Sequence, residues 1–158
     1  MERILKQIFC RLTALLSLMV PAVSFMLCGC EPAFPNDKLD NFWKLERIEY
    51  PGGTDFRGNA VQCEDVNGVY LGMARNIVQV ENHARNFDVY GILSDMTDSI
   101  KFDFSNSIIN GIHDTDAIKA NLLYCGMDSV VMVFNVDKLT SKSLVLSSGK
   151  SRLYLERW

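Results

Sequence analysis

The chain is 158 residues long, 48% hydrophobic and 22% charged, with a formal net charge of -3. That length suits a single domain, and the acidic balance excludes a nucleic-acid binder, which needs a basic stripe. After Lys38 no run of like charges and no low-complexity block interrupts the sequence.

In chain order, Arg3, Lys6 and Arg11 make the N-terminus basic against the single acid Glu2, and the stretch from Leu12 to Leu27 carries no charge. This apolar run is about sixteen residues, where a spanning helix needs roughly twenty, and Pro21 interrupts it. A basic start, a short apolar stretch and small residues at the exit are the parts of a secretory signal. The exit, Leu27-Cys28-Gly29-Cys30, resembles the bacterial lipobox. The resemblance implies that Cys30 is acylated, through diacylglycerol and a fatty acid such as palmitate, and that cleavage removes residues 1–29. The competing reading is an uncleaved anchor helix, for which the run is short. One acyl chain holds a protein to a membrane only marginally, at about 0.8 kcal/mol per buried methylene, so two or three make a stable anchor. Loss of the signal leaves the mature chain two units more negative. Residues 30–40, with Pro32 and Pro35, read as a lipidated flexible tether, and residues 41–158 as the folded domain.

Phe42–Tyr50 alternates, with Trp43 and Leu45 on one side and Lys44 and Glu46 on the other, until Pro51-Gly52-Gly53 ends it. Thr54–Asn67 is polar and irregular and reads as a long loop. Strands follow at Val69–Met73, Asn76–Glu81 and Asn86–Leu93, the last setting Phe87, Val89 and Gly91 against Asp88 and Tyr90. Ser99–Ser105 opposes Ile100, Phe102 and Phe104 to Lys101 and Asp103. The rhythm breaks at Asp114–Gly126, where Ile118, Leu122 and Cys125 recur at helical spacing between a capping Asp114 and a stop at Gly126. Ser129–Val136, Ser143–Ser147 and Arg152–Trp158 complete the set, with Ser148-Gly149 as a hairpin turn. About eight short antiparallel strands and one short helix make a mainly β chain, a sandwich or a barrel.

These features together resemble the lipocalin-like lipoproteins common in Bacteroidales. The resemblance is carried by Phe42-Trp43-Lys44-Leu45 after the tether, the helix ending in Leu122-x-Tyr124-x-Gly126, the valine-rich strand, Leu139–Leu146 and the closing strand. It covers nearly the whole mature chain and implies a small antiparallel lipocalin-like β-barrel over residues 41–158. Lipocalins carry Gly-x-Trp on the first strand; here Asn41 stands in the glycine's place.

No phosphate loop, nucleophile elbow or zinc-spaced pair occurs, so no catalytic residue, metal or cofactor is assigned and an enzyme is not expected. His83 reads as a solvated turn residue. His113-Asp114-Thr115-Asp116 is accounted for by a helix start, where acids suit the dipole, and Asp65-Val66-Asn67-Gly68 lacks the remaining positions of a calcium loop. Trp43 is expected to plug the closed end of the barrel, with stacking on a sugar or lipid as the alternative. Phe87, Val89, Phe102, Phe104, Val131 and Val133 are assigned to the inner face, where they either fill the barrel or leave room for one small apolar ligand in its mouth. Of five cysteines, Cys10 and Cys28 leave with the signal and Cys30 is acylated. Cys63 and Cys125 can then pair in an oxidising periplasm, worth about 3–4 kcal/mol, or stay as two separate buried thiols. The expected location is the cell envelope, the outer membrane ahead of the inner. The expected partners are the membrane, through the N-terminal lipid, and either a small apolar ligand or an envelope protein or glycan. The loop carrying Phe56, Arg57 and Cys63 is the expected contact surface for such a partner.

Overall fold

The structure, a computed structural model, describes residues 38–109 and 111–158. The expected signal peptide, the acylated Cys30 and the tether as far as Asp37 lie outside the described residues.

Among the described residues there are nine strands: β1 (Asn41–Glu49), β2 (Cys63–Asp65), β3 (Val69–Ala74), β4 (Ile77–Asn82), β5 (Phe87–Met96), β6 (Ser99–Asp103), β7 (Val131–Leu139), β8 (Ser143–Ser147) and β9 (Arg152–Arg157). Each of the strands from β3 to β9 pairs antiparallel with the next, β3 pairs with β1, and β9 returns to β1 with Trp43 opposite Arg157 and Glu49 opposite Arg152. The result is the closed antiparallel barrel of eight strands with one short helix that the sequence led us to expect. Between Leu45 and Arg47 the register of β1 slips against β9. This bulge lets Ile48 join Trp43 and Leu45 inside, although the three residues do not share one parity.

Two readings change. Thr54–Asn67, which reads as a long loop, contains β2, which pairs with the far half of β1 (Arg47 opposite Asp65) while β3 takes the near half (Asn41 opposite Met73). Three residues, Cys-Glu-Asp, are too few to show an alternation. Val131 and Val133 face solvent, and Met132 and Phe134 take the inner positions. Val130 to Phe134 is apolar throughout, so alternation has no readable phase there. The phase is set by the neighbouring strand, where Phe102 lies opposite Met132 and Ile100 opposite Phe134, and opposite residues share a face.

The meander gathers the loops 50–62, 83–86, 104–130 and 148–151 at one end of the barrel. Helix α1 (Thr115–Leu122) crosses that end. The Asp114 carboxylate accepts from the Ala117 amide at 2.9 Å, and a 3-10 turn over Leu123–Cys125 stops at Gly126, whose φ is 76°. Both helix boundaries fall where the sequence placed them. Ile118, Leu122 and Cys125 point into the barrel. A Cβ on Gly126 would lie 2.5 Å from Leu153 Cδ2, so glycine also lets the chain close down onto β9. The Ser151 hydroxyl ties it there, donating to the Gly126 carbonyl at 2.8 Å.

The opposite end carries the N-terminal entry, the turns 75–76, 97–98 and 140–142, and the C-terminus. Trp43 plugs it. Its indole Nε1 donates to the Leu39 carbonyl at 3.0 Å, and Leu39 is itself buried, so packing begins two residues ahead of β1.

Gly91 faces inward on β5, and a Cβ there would come within 2.5 Å of Phe104 Cδ1 and 2.8 Å of the Asp103 carbonyl. Gly91→Ala is expected to lower the unfolding free energy by about 1–3 kcal/mol, seen as a lower denaturant midpoint at constant slope. An unchanged midpoint would show that Phe104 moves aside without cost.

Candidate functional site

A ligand in the mouth of the barrel needs open space in the interior. Each of the eight barrel strands sends in at least one side chain with no exposed surface: Trp43, Leu71, Val78, Val89, Phe102, Phe134, Leu144 and Leu153. Phe102 sits at the centre, its ring 5.3 Å from that of Phe134 and 6.4 Å from that of Phe104. Phe87 retains 4% of its surface and Met132 6%. A lumen open to a ligand would leave such residues wetted. Five of the residues assigned inward (Trp43, Phe87, Val89, Phe102 and Phe104) are therefore brought together, as packing that fills the barrel, and α1 covers the end where a mouth would be.

Above α1, the loop 50–62 folds around Asp55. The Asp55 carboxylate accepts from the Arg57 amide (2.9 Å), Arg57 Nε (2.7 Å), the Asn59 amide (2.8 Å) and Asn59 Nδ2 (2.9 Å). Arg57 also pairs with Glu64 at 2.9 Å, and Glu64 accepts from the Tyr50 hydroxyl at 3.0 Å. Burial by itself would raise the Asp55 carboxyl, but the hydrogen bonds from Asn59 and Arg57 outweigh it and hold the group well below the usual carboxylate range. The guanidiniums of Arg57 and Arg85 lie 5.0 and 3.6 Å from the Tyr124 ring centre, pinning the loop to the end of the helix. Asp55, Arg57, Asn59 and Glu64 of the expected contact loop thus bond among themselves, and Phe56 packs edge-on against Tyr50.

Cys63 and Cys125 do not pair. Cys63 is exposed on β2 and Cys125 is buried beneath α1, so the barrel wall stands between a solvent-facing thiol and an inward one. Burial pushes Cys125 up to about 12, against a smaller opposing pull from the Asn82 amide. Near the helix start, Asp114 is occupied as a cap, and His113 Nδ1 lies 2.8 Å from the Ser107 carbonyl.

The apolar recesses lie outside. One cleft of about 340 Å³ runs from Asn41 and Phe42 over Gly72, Met73 and Ala74 to Ile77, Gln79 and Tyr90. A second, of about 520 Å³, continues from Ile77 and Tyr90 over Gly91 and Ile92 to Asp103, Asn106 and Ser107. Ile77 stands directly opposite Ile92, and Ile77, Tyr90 and Ile92 are each about half exposed. Gln79 Nε2 donates to the Tyr90 hydroxyl at 2.8 Å. The Asp103 carboxyl is held down to about 2, first by the Ser105 hydroxyl and then by Lys101. The sequence assigns none of these wall residues to a site. The signal was there in Ile77-Val78 and Ile92-Leu93, apolar pairs where alternation calls for one polar residue.

The described residues thus form a closed eight-stranded meander with a buried Trp at the N-terminal end. A family model described as a lipocalin-like domain matches residues 25–158. The chain belongs to the lipocalin-like domain family. No curated protein matches it. Among solved structures, this lipocalin-like chain is similar to a lipocalin-like protein from Bacteroides uniformis, with a TM-score of 0.56 and 16% identity over 77% of this chain and 99% of that one. It is also similar to an uncharacterized protein from Bacteroides eggerthii, with a TM-score of 0.52 and 16% identity over 75% and 98% of the two chains. At that identity the likeness speaks for the fold, which is typically a binding fold rather than a catalytic one.

Two outcomes follow for this lipocalin-like domain. Under native, non-reducing conditions Cys63 is expected to alkylate promptly and Cys125 only after unfolding; a Cys63–Cys125 disulfide in the mass spectrum would contradict this. Because the folded Asp55 carboxyl lies below its unfolded value, near 4, its contribution is complete at neutral pH and is lost as pH falls below that value. The difference in melting temperature between the wild type and Asp55→Asn should accordingly shrink as pH drops from 7 to 3. A difference constant across that range would mean the charge plays no part.

Proposed function

We propose that this protein is a lipoprotein of the bacterial cell envelope, acylated at Cys30 and held at the outer membrane, whose barrel is a non-enzymatic interaction module working through its outer wall. The observation that carries this reading is the packed interior, closed at one end by Trp43 and at the other by α1. With the lumen full, a partner is met outside, where Ile77, Tyr90 and Ile92 expose apolar surface that folding alone does not require. The anchor is supported by the basic start, the short uncharged run and Leu27-Cys28-Gly29-Cys30. A Bacteroidales origin is supported by the resemblance carried by Phe42-Trp43-Lys44-Leu45 and Leu122-x-Tyr124-x-Gly126.

A second reading, a small apolar ligand, is favoured by the cleft of about 520 Å³, whose apolar walls carry a few polar groups at Asp103, Asn106 and Ser107. The site would then be on the wall rather than in the lumen. In detergent phase separation the wild type is expected in the detergent phase and Cys30→Ser in the aqueous phase. A Cys30→Ser variant that stayed with the detergent would overturn the anchor. Native mass spectrometry of the extracted protein is expected to show the chain and its acyl groups alone. A co-purifying small molecule lost on Ile77→Asp would favour the second reading.

A further inference from the structure

The two outer clefts share Ile77 and Tyr90 and so form one apolar face, and that face begins at the residue where the tether joins the barrel. Asn41 lines its near edge, and the Asp40 carboxylate beside it accepts from the Arg75 amide at 2.8 Å in the turn that leads into Ile77. The face is flanked by aromatic rings. Phe42 stacks on Tyr70 at 5.6 Å, and Tyr70 meets Trp158 edge-on at 5.2 Å. Trp158 is 71% exposed, and its amide donates to the Phe42 carbonyl. Tyr and Trp at the border of an apolar surface are the side chains that settle at a membrane–water interface.

We propose that this face is where the tethered barrel lies on the phospholipid surface. The inference rests on the lipid anchor at Cys30 proposed above. From Cys30 to Lys38 the chain takes eight steps, which at about 3.3–3.6 Å each span at most about 29 Å. The side of the barrel carrying the tether's root is thereby kept within reach of the bilayer, and that side presents Phe42, Ile77, Tyr90 and Ile92. The charge balance points the same way. The chain is acidic, so attraction to anionic headgroups is not what drives the contact; apolar burial is. The contact should therefore form on phosphatidylethanolamine–phosphatidylcholine vesicles without anionic lipid and should persist in high salt.

The test uses the acylated full chain reconstituted into such vesicles, with and without acyl-brominated phospholipid as a quencher. The chain holds two tryptophans, Trp43 buried and Trp158 exposed, so Trp158→Phe leaves a silent internal control. In that background Tyr90→Trp places a reporter in the middle of the face. The expected result is strong bromolipid quenching of the residue-90 reporter, unaffected by salt, beside unquenched Trp43. Adding Ile77→Ser and Ile92→Ser should abolish the quenching while the protein stays with the vesicles. Anchored protein whose residue-90 reporter is not quenched would overturn the docking face and leave the anchor standing. Protein that does not associate with vesicles at all would overturn the anchor itself. If sedimentation instead shows a dimer in detergent that Ile77→Ser with Ile92→Ser dissociates, and no quenching occurs, the face joins two copies and the membrane assignment is wrong.

Discussion

β1 carries hydrogen bonds to three strands, and the rest of the molecule is arranged around that fact. On one edge its near half pairs with β3 and its far half with β2; on the other edge it meets β9 along nearly its whole length. Closing the sheet through β1 pairs both sides of the barrel strands and leaves the three-residue β2 as a short edge. It also gives every strand a definite inside and outside, so one bulge, between Leu45 and Arg47, lets both halves of β1 feed the core. Trp43 and Ile48 are both fully buried only because that extra residue is accommodated.

A closed barrel of eight strands has an interior just wide enough for side chains to fill it or for one small ligand. Here three phenylalanine rings and the aliphatic residues of all eight strands take the space. Filling the lumen requires both ends to be sealed against water. The Trp43 indole, its one polar atom satisfied by the Leu39 carbonyl, does so at one end. Ile118, Leu122 and Cys125 of the α1 segment do so at the other. The polar cluster around Asp55 holds that second seal in place. Buried carboxylates are tolerated only when hydrogen bonded, and four donors from Arg57 and Asn59 meet this one.

A full lumen moves the question of function to the outer wall. Residues on an exposed sheet face are normally polar, and the row Ala74, Ile77, Ile92 on neighbouring strands departs from that. The departure lies beside the tether's root and is bordered by aromatic residues, which is why a surface contact rather than an enclosed ligand gives the simplest account of it.

Much of this was legible in the sequence, and for one physical reason: local periodicity reports burial wherever polar and apolar residues truly alternate. Ile100, Phe102 and Phe104 against Lys101 and Asp103, Trp43 and Leu45 against Lys44 and Glu46, and the helix between Asp114 and Gly126 are all of this kind. Where alternation is absent, the sequence is silent. Val130 to Phe134 could face either way until Phe102 and Ile100 set the phase across the strand pair, and β2 is too short to carry a pattern. The separation of Cys63 from Cys125, the role of α1 as a lid and the joining of Ile77 to Ile92 are also long-range facts. They depend on which strands become neighbours when the sheet closes, and no single segment contains that information. The amino-acid order alone determined the eight barrel strands, the helix and the inner face of most elements; ring closure through β1, a tertiary event, decided that the interior is full and that the apolar face lies outside.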